Sequence, residues 1–200
     1  MILMMNKPAG YLTARSDRTR PTVMELLPPE LQALHPVGRL DMDTEGLLLL
    51  TDDGALDRLL LRPEQHVEKV YAFRAFGRLE DEAFVRMAQG VELEGMGVRS
   101  LPARAWRTGW STIGECEALL PEKKHNHLMK NPHRPVTEGC IAIREGKKHQ
   151  VKLMVKAVGG HVFTLRRLSI GPLALDPALA PGEYRLLTRK ETEALTALQP

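Results

Sequence analysis

The chain has 200 residues, 43% of them apolar, enough for one domain or two small lobes with a core that needs no staples. Two cysteines, Cys116 and Cys140, form no Cys-x-x-Cys pair and no disulfide framework, which points to a reducing compartment. No apolar run approaches the roughly 20 residues that cross a bilayer, so a soluble, cytoplasmic protein is expected.

Net charge is only +3, but it is unevenly spread. Residues 1–100 carry 12 Lys/Arg against 16 Asp/Glu, and residues 101–200 carry 16 against 9. Between Lys123 and Lys156 nine basic residues meet two acids, Glu138 and Glu145. A basic half suits a polyanionic partner, because lysine and arginine that neutralise phosphates release counterions. A solvated face is the competing reading.

Taken in chain order, Ile2-Leu3-Met4-Met5 predicts a buried strand, stopped by the turn Asn6-Lys7-Pro8-Ala9-Gly10. A short helix is expected over Thr22 to Leu27, between Pro21 and Pro28-Pro29. Leu47 to Leu50, bounded by Gly46 and Asp52-Asp53-Gly54, reads as a buried strand. A helix over Asp57 to Leu61, a strand over Val67 to Phe76 and a helix over Glu80 to Ala88 follow. Val91 to Leu119 is strand-rich, and Pro121 to Pro135 is expected to be a polar loop. Cys140 to Ile143 is a strand ending at Glu145-Gly146. Val151, Met154, Val155 and Val158 have helical spacing, so His149 to Val158 is a helix capped by Gly159-Gly160. Strands around Val162–Leu168 and Tyr184–Leu187 and a helix over Glu191 to Leu198 close the chain. Strands and helices mix without regular alternation, which predicts an α+β fold.

The densest chemistry lies in Gly38-Arg39-Leu40-Asp41-Met42-Asp43-Thr44-Glu45-Gly46, continuing through four leucines to Thr51-Asp52-Asp53-Gly54. Asp41, Asp43, Glu45, Gly46 and Asp52 fall on positions 1, 3, 5, 6 and 12 of a calcium-loop template. Pro36 and Gly38 stand where the entering helix should be, and Asp52 replaces the usual bidentate glutamate. The calcium reading is therefore the weaker one.

The same 17 residues resemble the catalytic motif of pseudouridine synthases of the RsuA type. Other segments resemble that family in the same order: Asn6 to Gly10, His66-Val67-Glu68-Lys69-Val70-Tyr71, Glu145-Gly146-Lys147-Lys148-His149-Gln150-Val151-Lys152, Leu165 to Gly171, and Pro181 to Arg185. The resemblance runs from about residue 2 to residue 188. It implies the pseudouridine synthase fold, a mixed and mostly antiparallel sheet with flanking helices and a central catalytic cleft. One catalytic domain over residues 1–200, in two lobes sharing a sheet, is expected, without the S4-type RNA-binding domain that many members carry. The third motif departs from the family in having lysine at both basic positions, Lys147 and Lys152. Charge is kept, but the planar fork of arginine is lost.

Isomerising uridine means breaking the N-glycosidic bond, turning the base and rebuilding the link through carbon, with no redox chemistry and no energy source. A carboxylate can divide such a step by covalent attack. The resemblance assigns that role to Asp41; on spacing alone, a turn aspartate that caps its own backbone is the plainer reading. It implies that Tyr71 stacks on the base and that Leu165 packs against it. Lys152 is expected to sit opposite Asp41 and keep it ionised, with Lys147 as the alternative and Gln150 as a further substrate-binding residue. Arg39 would help extract the target nucleotide, filling the vacated stack or clamping a phosphate, or else pair with Asp43 or Glu45.

The tract Lys123-Lys124-His125-Asn126-His127-Leu128-Met129-Lys130-Asn131-Pro132-His133-Arg134 supplies metal-ligand types but no recognised zinc spacing, and is expected to touch RNA backbone. No metal or organic cofactor is implied. The resemblance points to ribosomal RNA as partner, with the small-subunit RNA favoured over the large, and with a monomer acting on free RNA or an assembly intermediate. A non-catalytic RNA-binding assembly factor on the same scaffold is the reading from another class.

Overall fold

A computed structural model describes residues 1–62 and 66–198. In chain order its elements are β1 (Ile2–Lys7), β2 (His35–Val37), β3 (Glu45–Thr51), α1 (Gly54–Leu61), β4 (Lys69–Phe76) and α2 (Asp81–Ala88). They continue as β5 (Glu92–Leu93), β6 (Val98–Arg99), β7 (Arg104–Thr112), α3 (His125–Leu128), β8 (Pro135–Ile143), α4 (Gln150–Ala157), β9 (His161–Ile170), β10 (Leu173–Ala174), β11 (Tyr184–Leu186) and α5 (Arg189–Thr196). The chain divides into two compact units, one of residues 1–69 and 166–200, the other of residues 70–165.

The first unit is built on strands in the order β11–β1–β3–β9, with β2 also on β3 and β10 on β9. All pairs are antiparallel except β3–β9, which is parallel and joins Glu45 to Arg166 and Gly46 to Arg167. Leu47 to Leu50 are fully buried. Leu47 and Leu49 pack with Met4, Val37, Leu56, Leu60 and Ile170, while Leu48 and Leu50, one residue out of phase, are buried on the other face. A strand covered on both faces needs no polar alternation, which is why this run reads as uniformly apolar. Gly46 has φ +100°, and a Cβ there would lie 2.2 Å from the Arg167 carbonyl oxygen. Only glycine lets the two strands meet at that point.

In the second unit the order is β9–β4–β8–β7, and β5–β6 form a separate hairpin. Helix α2 covers one sheet face: Phe84 stacks with Phe73, and Gly139 leaves the room they need, since a Cβ there would be 2.7 Å from the Phe73 ring. Helix α4 ends as its glycines predict. Gly159 adopts φ +94°, and the Gly160 amide donates to the Val155 carbonyl at 3.0 Å.

Three expectations need correcting. The Thr22–Leu27 helix is a four-residue 3₁₀ turn, Val23–Leu26, because the prolines on either side leave too little chain for a full α-turn. Pro121–Pro135 is not merely loop: it holds α3, whose Leu128 is buried with Ile113, Cys116, Leu120 and Val136. The short strands β2 and β10 carry three and two residues of pairing, too few to leave a periodic signal.

Candidate active site

Asp41 lies in the first unit, half-buried, on the loop between β2 and β3. That loop is fastened residue by residue. The Thr13 hydroxyl donates to the Leu40 carbonyl at 2.9 Å and accepts from the Leu40 amide at 3.2 Å. The Gly10 amide donates to the Met42 carbonyl at 2.8 Å, and the Thr44 amide closes a turn onto the Asp41 carbonyl at 3.0 Å. Lys7, with no exposed surface, donates from Nζ to Thr44 O at 2.8 Å, Pro8 O at 3.0 Å and Met42 O at 3.3 Å. A buried ammonium is costly unless polar groups replace its water, and here the carbonyls of Pro8, Met42 and Thr44 do so, the last two just after Asp41 in its loop. Lys7 was assigned no role from the sequence. Its place in Asn6 to Gly10, the first segment that resembles the family, was the available signal. Arg39, two residues before Asp41, is exposed.

The calcium geometry is excluded by β3. Glu45 opens a seven-residue extended strand and Asp52 follows its last residue, Thr51, which sets them about 20 Å apart at the rise of a β-strand. Asp52 meets the N-terminal ammonium at 2.5 Å, and Asp53 caps α1 by accepting from the Ala55 amide at 2.8 Å and the Leu56 amide at 3.3 Å. Among the described residues no group of three or more His, Cys, Asp or Glu is placed to hold a metal ion.

At the end of this unit, Arg167 is 2% exposed and donates from Nε to the Leu47 carbonyl at 2.8 Å. Lys69 donates to the Val67 carbonyl at 3.0 Å. Burial, and then the Arg167 charge, lower its ammonium to about 8. This half-buried lysine beside the buried Arg167 was also missed, because nothing in Glu68-Lys69-Val70-Tyr71 distinguishes a partly enclosed lysine from a surface one.

The second unit holds Tyr71, Lys147, Gln150, Lys152 and Leu165. Tyr71 on β4 and Leu165 on β9 are buried, 8% and 6% exposed. Lys147 pairs with Glu145. Gln150, 3% exposed, accepts from the Lys147 amide at 2.9 Å and donates to the Glu145 carboxylate. Its amide thus ties the third-motif loop together. Lys152 lies half-buried in the first turn of α4. Just before it, His149 takes φ +54°, a conformation uncommon outside glycine. In the tract between β7 and β8, Lys123, Lys124, Lys130 and Arg134 are all exposed, with buried Leu128 as anchor.

A family model described as RNA pseudouridylate synthase matches residues 1–157. The chain belongs to that family. An "uncharacterized RNA pseudouridine synthase YtzG" of Bacillus subtilis (strain 168) is 44% identical over 98% of this chain and 74% of its own length. The "ribosomal small subunit pseudouridine synthase A" of Escherichia coli (strain K12) is 38% identical over 94% of this chain and 71% of its own. A solved structure described as a pseudouridylate synthase superposes with a TM-score of 0.79 at 33% identity, over 97% of this chain and 73% of that one. The α+β architecture is therefore the pseudouridine synthase fold, and the activity is that of an RNA pseudouridine synthase.

Proposed function

We propose that this pseudouridine synthase isomerises a uridine of ribosomal RNA, in the small subunit, with Asp41 as nucleophile. The observation that carries the nucleophile is the loop itself. Backbone and side-chain bonds fix Leu40, Met42 and Thr44 around Asp41, as a covalent step requires of a group that must meet its target in one geometry. The small-subunit substrate rests on the likeness to the Escherichia coli enzyme over 94% of the chain.

In this reading Tyr71 and Leu165 hold the detached base while it turns, and Lys152 keeps the Asp41 carboxylate ionised. Lys147, whose ammonium pairs with Glu145, is the alternative for that task. Arg39 is exposed, as suits a side chain that clamps a phosphate or fills the gap left by an extracted nucleotide. The enzyme acts as a monomer in the cytoplasm, on free RNA or an assembly intermediate, where a folded uridine can still be withdrawn from its stack.

Asp41→Asn keeps the shape of the side chain and removes its nucleophilicity. The expected outcome is loss of isomerisation with RNA binding and thermal stability retained. Pseudouridine mapping of small- and large-subunit RNA from cells with and without the gene reads the substrate. Turnover by purified Asp41→Asn above background rules out the nucleophile, and a missing modification in the large subunit alone rules out the small-subunit assignment.

A further inference from the structure

Both tryptophans of the chain lie on β7, the strand that ends the second unit's sheet order, and both stay open to solvent, Trp106 by 40% and Trp110 by 37%. Their surroundings differ. The guanidinium groups of Arg107 and Arg78 lie 4.7 and 4.8 Å from the Trp110 ring. Each is itself ion-paired, Arg107 to Asp81 at 2.6 Å and Arg78 to Glu80 at 2.7 Å. Trp110 thus already has two guanidiniums beside its ring. Trp106 has the Arg104 guanidinium 6.0 Å from its ring.

The two rings also face opposite ways. The β7–β8 register is irregular between Arg107 and Gly109, so that Trp106 stands opposite Cys140 and Trp110 opposite Thr137. Residues directly opposite in an antiparallel pair share a face, and neighbours along a strand do not. Cys140 shares its face with Glu138, which accepts from Arg74 Nε at 3.0 Å and from the Ser111 hydroxyl at 3.0 Å. Trp106, Glu138 and Arg74 therefore line one face across three adjacent strands. Phe73 and Gly139, one residue out of phase, line the other, which α2 seals. On the first face Arg74 and Glu138 keep 38% and 28% of their side chains exposed.

A large ring left in water on a sheet that could have buried it forgoes apolar burial, so a partner is expected to cover it. The groups at hand are a flat indole, the Arg104 guanidinium beside it and the Arg74–Glu138 ion pair. That composition fits a polyanion with aromatic bases better than an apolar protein face, because unpaired bases stack on aromatic rings while guanidinium meets phosphate. We propose that Trp106 is a stacking platform for an unpaired base of the substrate RNA, with Arg104 beside it meeting the adjoining phosphate. The proposal rests on the RNA substrate named above and adds a recognition residue outside its motifs.

Two single-tryptophan variants test it. Trp110→Phe leaves Trp106 as sole reporter, and Trp106→Phe leaves Trp110. On titration with a uridine oligonucleotide of about ten residues, within the usual range of single-strand sites, Trp106 emission should fall at least about twofold, because a stacked base quenches indole. Trp110 emission should hold, and an abasic oligonucleotide with the same phosphates should quench Trp106 little. Trp106→Ala should weaken binding about 5- to 150-fold, the range for one base–aromatic stack, and Trp106→Phe should keep most of the affinity. Unchanged Trp106 emission at saturating RNA, equal quenching by the abasic strand, or undiminished binding by Trp106→Ala would overturn the proposal. So would a response to ribosomal proteins without one to RNA, which would make the surface a protein contact. Binding is read without turnover, so failure of the catalytic reading would show separately, as RNA bound but unmodified.

Discussion

Replacing Lys7 by methionine tests how the nucleophile is held. The side chain keeps its length and loses its three donors. Of the three carbonyls it serves, Met42 O also accepts from the Gly10 amide at 2.8 Å, so Pro8 O and Thr44 O are the ones set to lose a partner. Leaving two buried acceptors unmade costs about 1–3 kcal/mol each, and removing a buried ammonium returns several kcal/mol of desolvation. The net destabilisation should therefore be modest, about 1–3 kcal/mol. In a chain of this size that lowers Tm by about 2–12 °C. Catalysis should suffer more than stability does. Met42 and Thr44 directly follow Asp41 in its loop, and a small misplacement of a reacting group can cost about 100-fold in rate. Tritium release from uridine-labelled RNA, run beside thermal melting, separates the two effects: kcat should fall about 10- to 100-fold while KM changes little. Lys7→Arg should not rescue, because a guanidinium is larger than the fully enclosed site. Wild-type kcat in Lys7→Met, or a loss confined to KM, would refute the idea that this lysine positions Asp41.

Neutralising Lys123, Lys124, Lys130 and Arg134 together should reduce the salt dependence of RNA binding, by about 0.7–0.9 in the log–log slope for each lost phosphate contact. An unchanged slope in filter binding across a salt series means the tract is only solvated. Lys69 should leave a mark at alkaline pH. Its folded ammonium titrates near 8 against an ordinary 10.5, so below pH 8 it is charged in both states and the burial cost is fully present. Between 8 and 10.5 the unfolded chain binds a proton that the folded one does not, and stability rises with pH. The stability gained by Lys69→Met should thus be largest below pH 8 and shrink toward 10.5, as read from urea midpoints at each pH. A difference that does not vary with pH would show that Lys69 is solvated.

What the sequence revealed and what it hid follow from the range of the forces involved. Leu47 to Leu50 is legible as a buried strand because four adjacent leucines leave no polar face, and α4 because its apolar spacing and Gly159-Gly160 act within one or two turns. Asp41 is legible through the long motif around it. Lys7, Gln150 and Trp106 are not, and for one reason: each owes its role to something distant in sequence. Lys7 is enclosed because a loop 35 and 37 residues away supplies its acceptors. Trp106 and Trp110, four residues apart, fall on opposite faces because of one register irregularity between Arg107 and Gly109, whereas a pattern of alternating residues would put them on the same face. Gln150 lies in a helix whose apolar face is plain, yet its own burial depends on the Glu145–Lys147 turn folding back beneath it. Polar side chains on long-range contacts carry no periodic signature, since a single buried charge or amide changes neither local hydrophobicity nor helix and strand preference. Reactions that need one carboxylate held in one geometry draw their support from such contacts. In this enzyme the 17-residue motif marks the proposed nucleophile, Asp41, while the side chains that fasten its loop, Lys7 and Thr13, come from outside that motif.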